Sequence, residues 1–185
     1  MNMNTADLTP KARRTRLALL DAARAEIGRQ GVAGMTVMAV CEKAGVGRTS
    51  FYNYFEDIDA LVTIVARETA TGIKTRFDRL HEEMPRGRDR LKACLSMILK
   101  AAADEPEAIL LVISLSSSLP EIIDLLHKEI SAELAAFAIG TEEDQLALEK
   151  YLAQTLLSLA RQVVMGNIPM QEIDRHVEFM MRACG

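Results

Sequence analysis

The stretch that most constrains this chain is Thr36-Val-Met-Ala-Val-Cys-Glu-Lys-Ala-Gly45-Val-Gly-Arg-Thr-Ser-Phe-Tyr52-Asn-Tyr-Phe55. Thr36 suits a helix N-cap, because its hydroxyl can accept an amide proton of the first turn. Val37 to Ala44 then reads as a short helix, and Gly45 breaks it. Glycine fits there because a tight reversal uses backbone angles that strain any Cβ. A second short helix is predicted from about Gly47 to Tyr54. Ala39, Val40, Val46 and Phe51 are spaced to lock the two helices together. A capped helix, a glycine turn and a second short helix make a helix-turn-helix.

Helical periodicity runs through the rest of the chain, and no run of strict alternation competes with it. Thr9-Pro10 opens a first helix, with Leu20, Ala23 and Ile27 on one face and Gly31 closing it in a left-handed turn. A long fourth helix is predicted from about Asp57 to Met84. A fifth runs from about Arg88 to Ala103, and a sixth follows Asp104-Glu105-Pro106. The seventh begins at Pro120, with Ile123, Ile130, Leu134 and Phe137 on one face. Thr141-x-x-Asp144 resembles a capping box for the eighth, and the ninth spans about Met170 to Cys184. Nine helices in 185 residues predict an all-α fold. Few aromatics (4%) and no Trp agree with helices over a sandwich of strands.

The net charge of −4 argues against a nucleic-acid partner only if charge is spread evenly. Residues 1–55 carry eight basic and four acidic groups, for +4, and the remainder carries −8. A basic N-terminal module on an acidic body is the asymmetry expected of a DNA-binding head. With Phe51 facing inward, Arg48, Thr49, Tyr52 and Asn53 are left outward. Arginine reads guanine edges or phosphate, while Asn, Thr and Tyr hydrogen-bond to bases or backbone. Thr36, Ser50 and Tyr54 complete the candidate DNA surface on this segment, and Arg13, Arg14 and Arg16 add a basic cluster in the first helix.

The chain here resembles the tetracycline-repressor (TetR) family of bacterial transcriptional regulators. The resemblance is carried by Thr15-Arg16, Leu20-Asp21-Ala22-Ala23, Gly31, Thr36-Val37, Ala44-Gly45-Val46, Phe51-Tyr52-Asn53-Tyr54-Phe55 and Leu61. It implies three DNA-binding helices, at 1–56, followed by a six-helix ligand-binding and dimerisation domain at 57–185. Two positions depart from the family pattern. Gly47 stands where a Ser or Thr usually caps the third helix. Ile58, beside Glu56, Asp57 and Asp59, stands where a Lys usually grips a phosphate. DNA binding is therefore expected to lean on the arginines and Tyr52.

In the body, an apolar sixth helix from Ile109 to Leu115 predicts a pocket lined by aliphatic groups. Its candidate residues are Phe77, Leu95, Ile98, Leu110, Ile113 and Leu126, with Arg76, Ser114 and His127 as polar contacts. A small lipophilic ligand is expected. Ser116, Ser117 and Ser118 extend the hydroxyls near this helix and are read as bonding back to the preceding turn or capping the next helix. Leu152, Leu156, Leu159 and Val163 form one stripe of the eighth helix, beside a second of Ala153, Leu157, Ala160 and Val164. Together with Ile173, Val177 and Met180 of the ninth helix, the first stripe is predicted to form a homodimer interface. Two such stripes exceed what one subunit's core requires.

The widely spaced His81, His127 and His176 offer no metal-ligand spacing. Three scattered cysteines, Cys41, Cys94 and Cys184, predict no disulfide framework and suit a reducing cytoplasm. No cofactor, membrane span or signal peptide is expected. The leading function is a ligand-responsive repressor on palindromic operator DNA. The alternatives are a regulator controlled by a partner protein without a small ligand, and a small enzyme that kept an ancestral head. The sequence shows no convergent catalytic groups for the last.

Overall fold

The computed structural model describes residues 8–115, 120–136 and 140–184. Ser116, Ser117, Ser118 and Phe137 lie outside the described residues. Nine α-helices and no strand occur among the described residues: α1 (Pro10–Gln30), α2 (Val37–Ala44), α3 (Arg48–Tyr52), α4 (Ile58–Glu83), α5 (Arg88–Asp104), α6 (Pro106–Leu115), α7 (Pro120–Leu134), α8 (Glu142–Val164) and α9 (Ile173–Arg182). Contacts divide the chain into two compact units, one through Thr69 and one from Ala70.

In the first unit, Thr9 caps α1 by accepting the Ala12 amide at 3.3 Å, and Pro10 sits where its missing N–H costs nothing. The end of α1 differs from expectation. Gly31 has the positive φ of 72° that favours glycine, but its ψ of 173° lies outside the left-handed helical region, and a single 3-10 turn (Val32–Gly34) follows. Such turns bond i to i+3 and leave no apolar period to read. Leu19, Leu20, Ala23 and Ile27 fill the core under α2 and α3, with Val40, Phe51 and Phe55. Glu26 is buried against α2, where it accepts from Arg29 at 2.7 Å and Gln30 at 2.9 Å, with Lys43 at 3.7 Å. These donors, the Arg29 guanidinium first, hold the Glu26 carboxyl below its ordinary range.

In the second unit, α5 is the central element. Leu91, Cys94, Leu95, Leu99 and Ala102 are buried in one core with Leu126, Ile130 and Leu134 of α7. Leu152, Leu156, Ala160 and Val163 of α8, and Ile173, Val177 and Met180 of α9, belong to the same core. This corrects the assignment of those α8 and α9 residues to a dimer face. Leu152, Leu156, Ile173 and Val177 have no exposed surface, and Val163 and Met180 are also buried. Leu159 alone of the seven is partly open. The second stripe is absorbed as well, since Ala153 and Ala160 are buried and Leu157 and Val164 pack on the core. Both stripes are needed because α5, α6 and α7 all close on α8 within one chain. The capping box of α8 is present, with Thr141 and Asp144 each accepting the other's backbone amide.

A candidate nucleic-acid interface and an apolar cavity

The candidate surface is organised around the turn after α2. Thr36 caps α2 by accepting the Ala39 amide at 3.2 Å. At the other end Gly45 adopts φ 65° and ψ 33°, the left-handed region. There the Gly45 amide bonds to Glu42 O at 3.2 Å and the Val46 amide to Cys41 O at 2.9 Å. This paired closure satisfies carbonyls that would otherwise end the helix unmet. It delivers the chain to α3 within three residues.

Helix α3 is only five residues long and has no side-chain cap at Gly47. Packing holds it in place. Phe51 has no exposed surface, and its ring lies 5.5 Å from Phe55 and 5.4 Å, edge-on, from Tyr52. With Phe51 turned inward, the opposite face of α3 is turned outward. Tyr52 is 55% exposed, and Arg48, Thr49 and Asn53 are exposed beside it. Ser50 and Tyr54 are half-buried, and Thr36 is exposed at the start of α2. Arg48 makes no ion pair among the described residues, and neither do the exposed Arg13 and Arg14. The exposed face of α3 thus carries a cation and hydrogen-bonding side chains together, the groups that base and phosphate readout uses.

Arg16 stands apart from that set. Its side chain is 16% exposed, 3.9 Å from Glu68, with its guanidinium 5.8 Å from the centre of the Phe55 ring. It is committed to the unit's own packing. Glu68 also accepts from Arg24 at 2.6 Å, a tie between α1 and the first half of α4 that sequence reading did not identify. At the N-terminus of α4, Asp57 accepts the Ala60 amide at 2.7 Å, while Ile58 is half-buried. An open groove of about 510 Å³ runs beside α3, lined by Tyr52, Asn53, Tyr54, Glu56 and Arg67 among others.

The second unit holds a cavity of about 30 Å³. Ala70, Ile73 and Phe77 of α4, Ile98 of α5 and Ile109, Val112 and Ile113 of α6 line one part of it. Ile123, Leu125 and Leu126 of α7 and Leu157 and Ala160 of α8 complete it. Phe77, Ile98, Ile113 and Leu126 of the sequence-derived set meet at this cavity. The other five do not. Leu95 is wholly inside the core, Leu110 is half-buried and Ser114 is exposed. Arg76 pairs with Glu105, and His127 Nδ1 lies 2.8 Å from Glu149.

One to two helical turns beyond Leu126 along α7, buried charges replace the apolar side chains. Glu133 of α7, 1% exposed, receives the Arg90 guanidinium at 2.6 and 2.9 Å and the Gly87 amide at 3.2 Å. Arg90 also donates to Met84 O at 3.0 Å, which finishes the C-terminal end of α4. Glu129 lies 2.9 Å from His81 Nε2, off the line a hydrogen bond would take, so that buried nitrogen has no hydrogen-bond partner among the described residues. Burial, then Glu133 and Glu129, pushes the Cys94 thiol up to about 12. Sequence reading missed this ionic cluster. The available signal was Glu129 and Glu133 falling on the same face as Leu126 and Ile130. No group of three or more His, Cys, Asp or Glu able to hold a metal occurs among the described residues. No helix among them is long and apolar enough to cross a membrane.

Residues 19–63 match the family model of bacterial regulatory proteins, tetR family. Solved structures share the fold over nearly the whole chain. A TetR-like transcriptional regulator from Rhodococcus sp. RHA1 has 17% identity and a TM-score of 0.78, with 95% of this chain and 97% of that one covered. A transcriptional regulator from Aquifex aeolicus VF5 has 15% identity and a TM-score of 0.71, with coverage of 91% and 98%. The fatty acid degradation regulator FadR from Bacillus halodurans has 15% identity and a TM-score of 0.67, with coverage of 95% and 96%.

Proposed function

From a chain whose N-terminal helix-turn-helix is that of the tetR family of bacterial transcriptional regulators, we propose a ligand-responsive repressor. It binds palindromic operator DNA as a dimer in the cytoplasm and is released by a small lipophilic inducer. The observation that carries this reading is the sidedness of α3, with Phe51 inward and Arg48, Thr49, Tyr52 and Asn53 outward. We take residues 1–56 as the DNA-binding domain and 57–185 as the ligand-binding and dimerisation domain. Two α3 helices would enter successive major grooves, ~34–36 Å apart. Arg48 would read a base edge, with Tyr52, Thr49 and Asn53 beside it. Arg13 and Arg14 would meet phosphates.

For the dimer we propose the face of α8 and α9 that the chain's own core leaves open. Tyr151 and Phe179 are exposed there and Leu148 and Leu159 are half-buried. Arg182 lies over the Phe179 ring at 4.9 Å and Arg175 at 6.0 Å, giving a patch with an apolar centre and a polar rim. Paired about a two-fold axis, the four helices would make an isologous interface. The inducer would occupy the apolar cavity and act by binding the two arrangements of the protein unequally. The likeness to a regulator of fatty acid degradation supports a lipophilic ligand.

The small size of the cavity favours a second reading, a regulator controlled by a partner protein without a small ligand. Footprinting of promoter DNA retained by the purified protein tests the DNA reading, with two protected half-sites one helical turn apart expected. Sedimentation at micromolar concentration tests the dimer, and a monomer would overturn it. Failure of every lipophilic compound to release the DNA would favour the partner-protein reading.

A further inference from the structure

A helix of five residues without a side-chain cap does not hold itself together. Phe51 carries α3 from inside, and the support continues behind that ring. Phe51 lies 5.5 Å from Phe55, which is buried and meets Tyr54 at 6.5 Å. Over Phe55 stands the Arg16 guanidinium, 5.8 Å from the ring centre. On its other side Arg16 has Glu68 of α4 at 3.9 Å. The second Glu68 oxygen is taken by Arg24 at 2.6 Å, and Asp21 accepts from Arg24 at 2.8 Å. Contacts therefore run without a gap from Glu68 through Arg16 and Phe55 to Phe51, all inside the first unit. Arg14, two positions away on α1, is exposed and has no such neighbours among the described residues.

We propose that Arg16 is a positioning residue, a role that rests on the DNA-binding reading of α3. It braces α3 through Phe55 and Phe51 and touches neither phosphate nor base. The negative face of an aromatic ring attracts a guanidinium, and the arginine stem adds apolar cover. The partly exposed pair with Glu68 is weak alone, but it keeps the cation from swinging out to solvent or to a phosphate. Ring and carboxylate thus hold Arg16 together. A cation–π contact at such a site is worth roughly two- to fivefold in an equilibrium constant.

The test is NMR of the full chain with labelled tyrosines, together with titrations of operator and random DNA at several salt concentrations. The sequence has three tyrosines. Tyr52 is edge-on to Phe51 and Tyr54 lies against Phe55, while Tyr151 of α8 in the second unit is the internal control. Arg16→Ala should shift or broaden the Tyr52 and Tyr54 ring signals and leave Tyr151 in place. Operator affinity should fall roughly two- to fivefold, with an unchanged salt slope on random DNA. Arg16→Met keeps apolar cover and should fall between Arg16→Ala and the wild type. Glu68→Gln should move the same two signals by less. Melting curves show which variants are folded, and if Arg16→Ala is not, Arg16→Met and Glu68→Gln carry the test. A salt slope lower by about one in folded Arg16→Met would make Arg16 a phosphate contact and overturn the proposal. Tyr52 and Tyr54 signals unmoved in every folded variant, or Tyr151 moving as much as they do, would overturn it too. If the wild type retains no DNA while the tyrosine signals follow the expected order, the brace stands and the DNA-binding reading falls.

Discussion

Two sets of arginines, one in each compact unit, are used in opposite ways. In the unit through Thr69, Arg13, Arg14 and Arg48 stand in water without an ion pair among the described residues. In the unit from Ala70, Arg90 is buried with both oxygens of Glu133 engaged around it. A solvated cation adds little to folding and stays available to a polyanion. A buried one has exchanged hydration for fixed partners, and losing either partner is costly. Charge faces outward where recognition is proposed and inward where helices must keep their spacing.

The largest effect should come from breaking the buried side of that contrast. Glu133→Ala strands Arg90 and should cost about 3–5 kcal/mol in urea unfolding. The Arg90→Met, Glu133→Leu double variant should recover most of it. A loss below about 1 kcal/mol in the single variant would show that water reaches the pair. On the exposed side, Arg48→Ala should leave the melting temperature unchanged. It should cost about 1–3 kcal/mol of operator affinity and relax preference at one base pair of each half-site. An equal loss on random DNA would make Arg48 a phosphate contact instead.

The outward set was largely legible in the sequence because its signals are local. Thr36 and Gly45 name the cap and the turn, and Phe51 against Tyr52 gives the sidedness. The predicted Gly47–Tyr54 helix is shorter in fact, Arg48–Tyr52, since nothing local marks where so brief a helix stops. The inward set was not legible. Periodicity says that Leu152, Leu156 and Val177 face something apolar, without saying whether that is α5 of the same chain or a second copy. Glu129, Glu133 and Arg90 were not singled out, because nothing local marks a charge as buried and charges are ordinarily outside. The cavity depends on side-chain volumes from five helices, so only Phe77, Ile98, Ile113 and Leu126 were located in advance.

A smaller effect tests whether the first unit can take one more outward cation. Ile58→Lys places a charge at the start of α4, and the salt dependence of DNA binding should steepen by roughly one unit, alike on operator and random DNA. Lower stability with an unchanged slope would show that half-buried Ile58 matters for packing. The smallest effect concerns Asp144 in the second unit. Hydrogen bonds from the Thr141 backbone and hydroxyl hold its carboxyl below the ordinary value of 3.8. A depressed folded pKa contributes stability above the unfolded value, which is lost as pH falls through the folded one. Urea midpoints of the wild type and Asp144→Asn should therefore differ at pH 6 and converge toward pH 3.

The brevity of α3 has a kinetic consequence. Five residues without a side-chain cap form barely one turn, too little to persist without neighbours. Only Phe51 fixes it from inside. Its amides should exchange with deuterated water through local opening, far faster than those of α1, because opening α3 exposes little beyond one ring. Operator DNA would then complete the ordering of the reading surface, and protection should appear at Thr49, Ser50 and Tyr52 on binding. Part of the discrimination would lie in dwell time, since a mismatched sequence would fail to hold α3 closed and the complex would dissociate sooner.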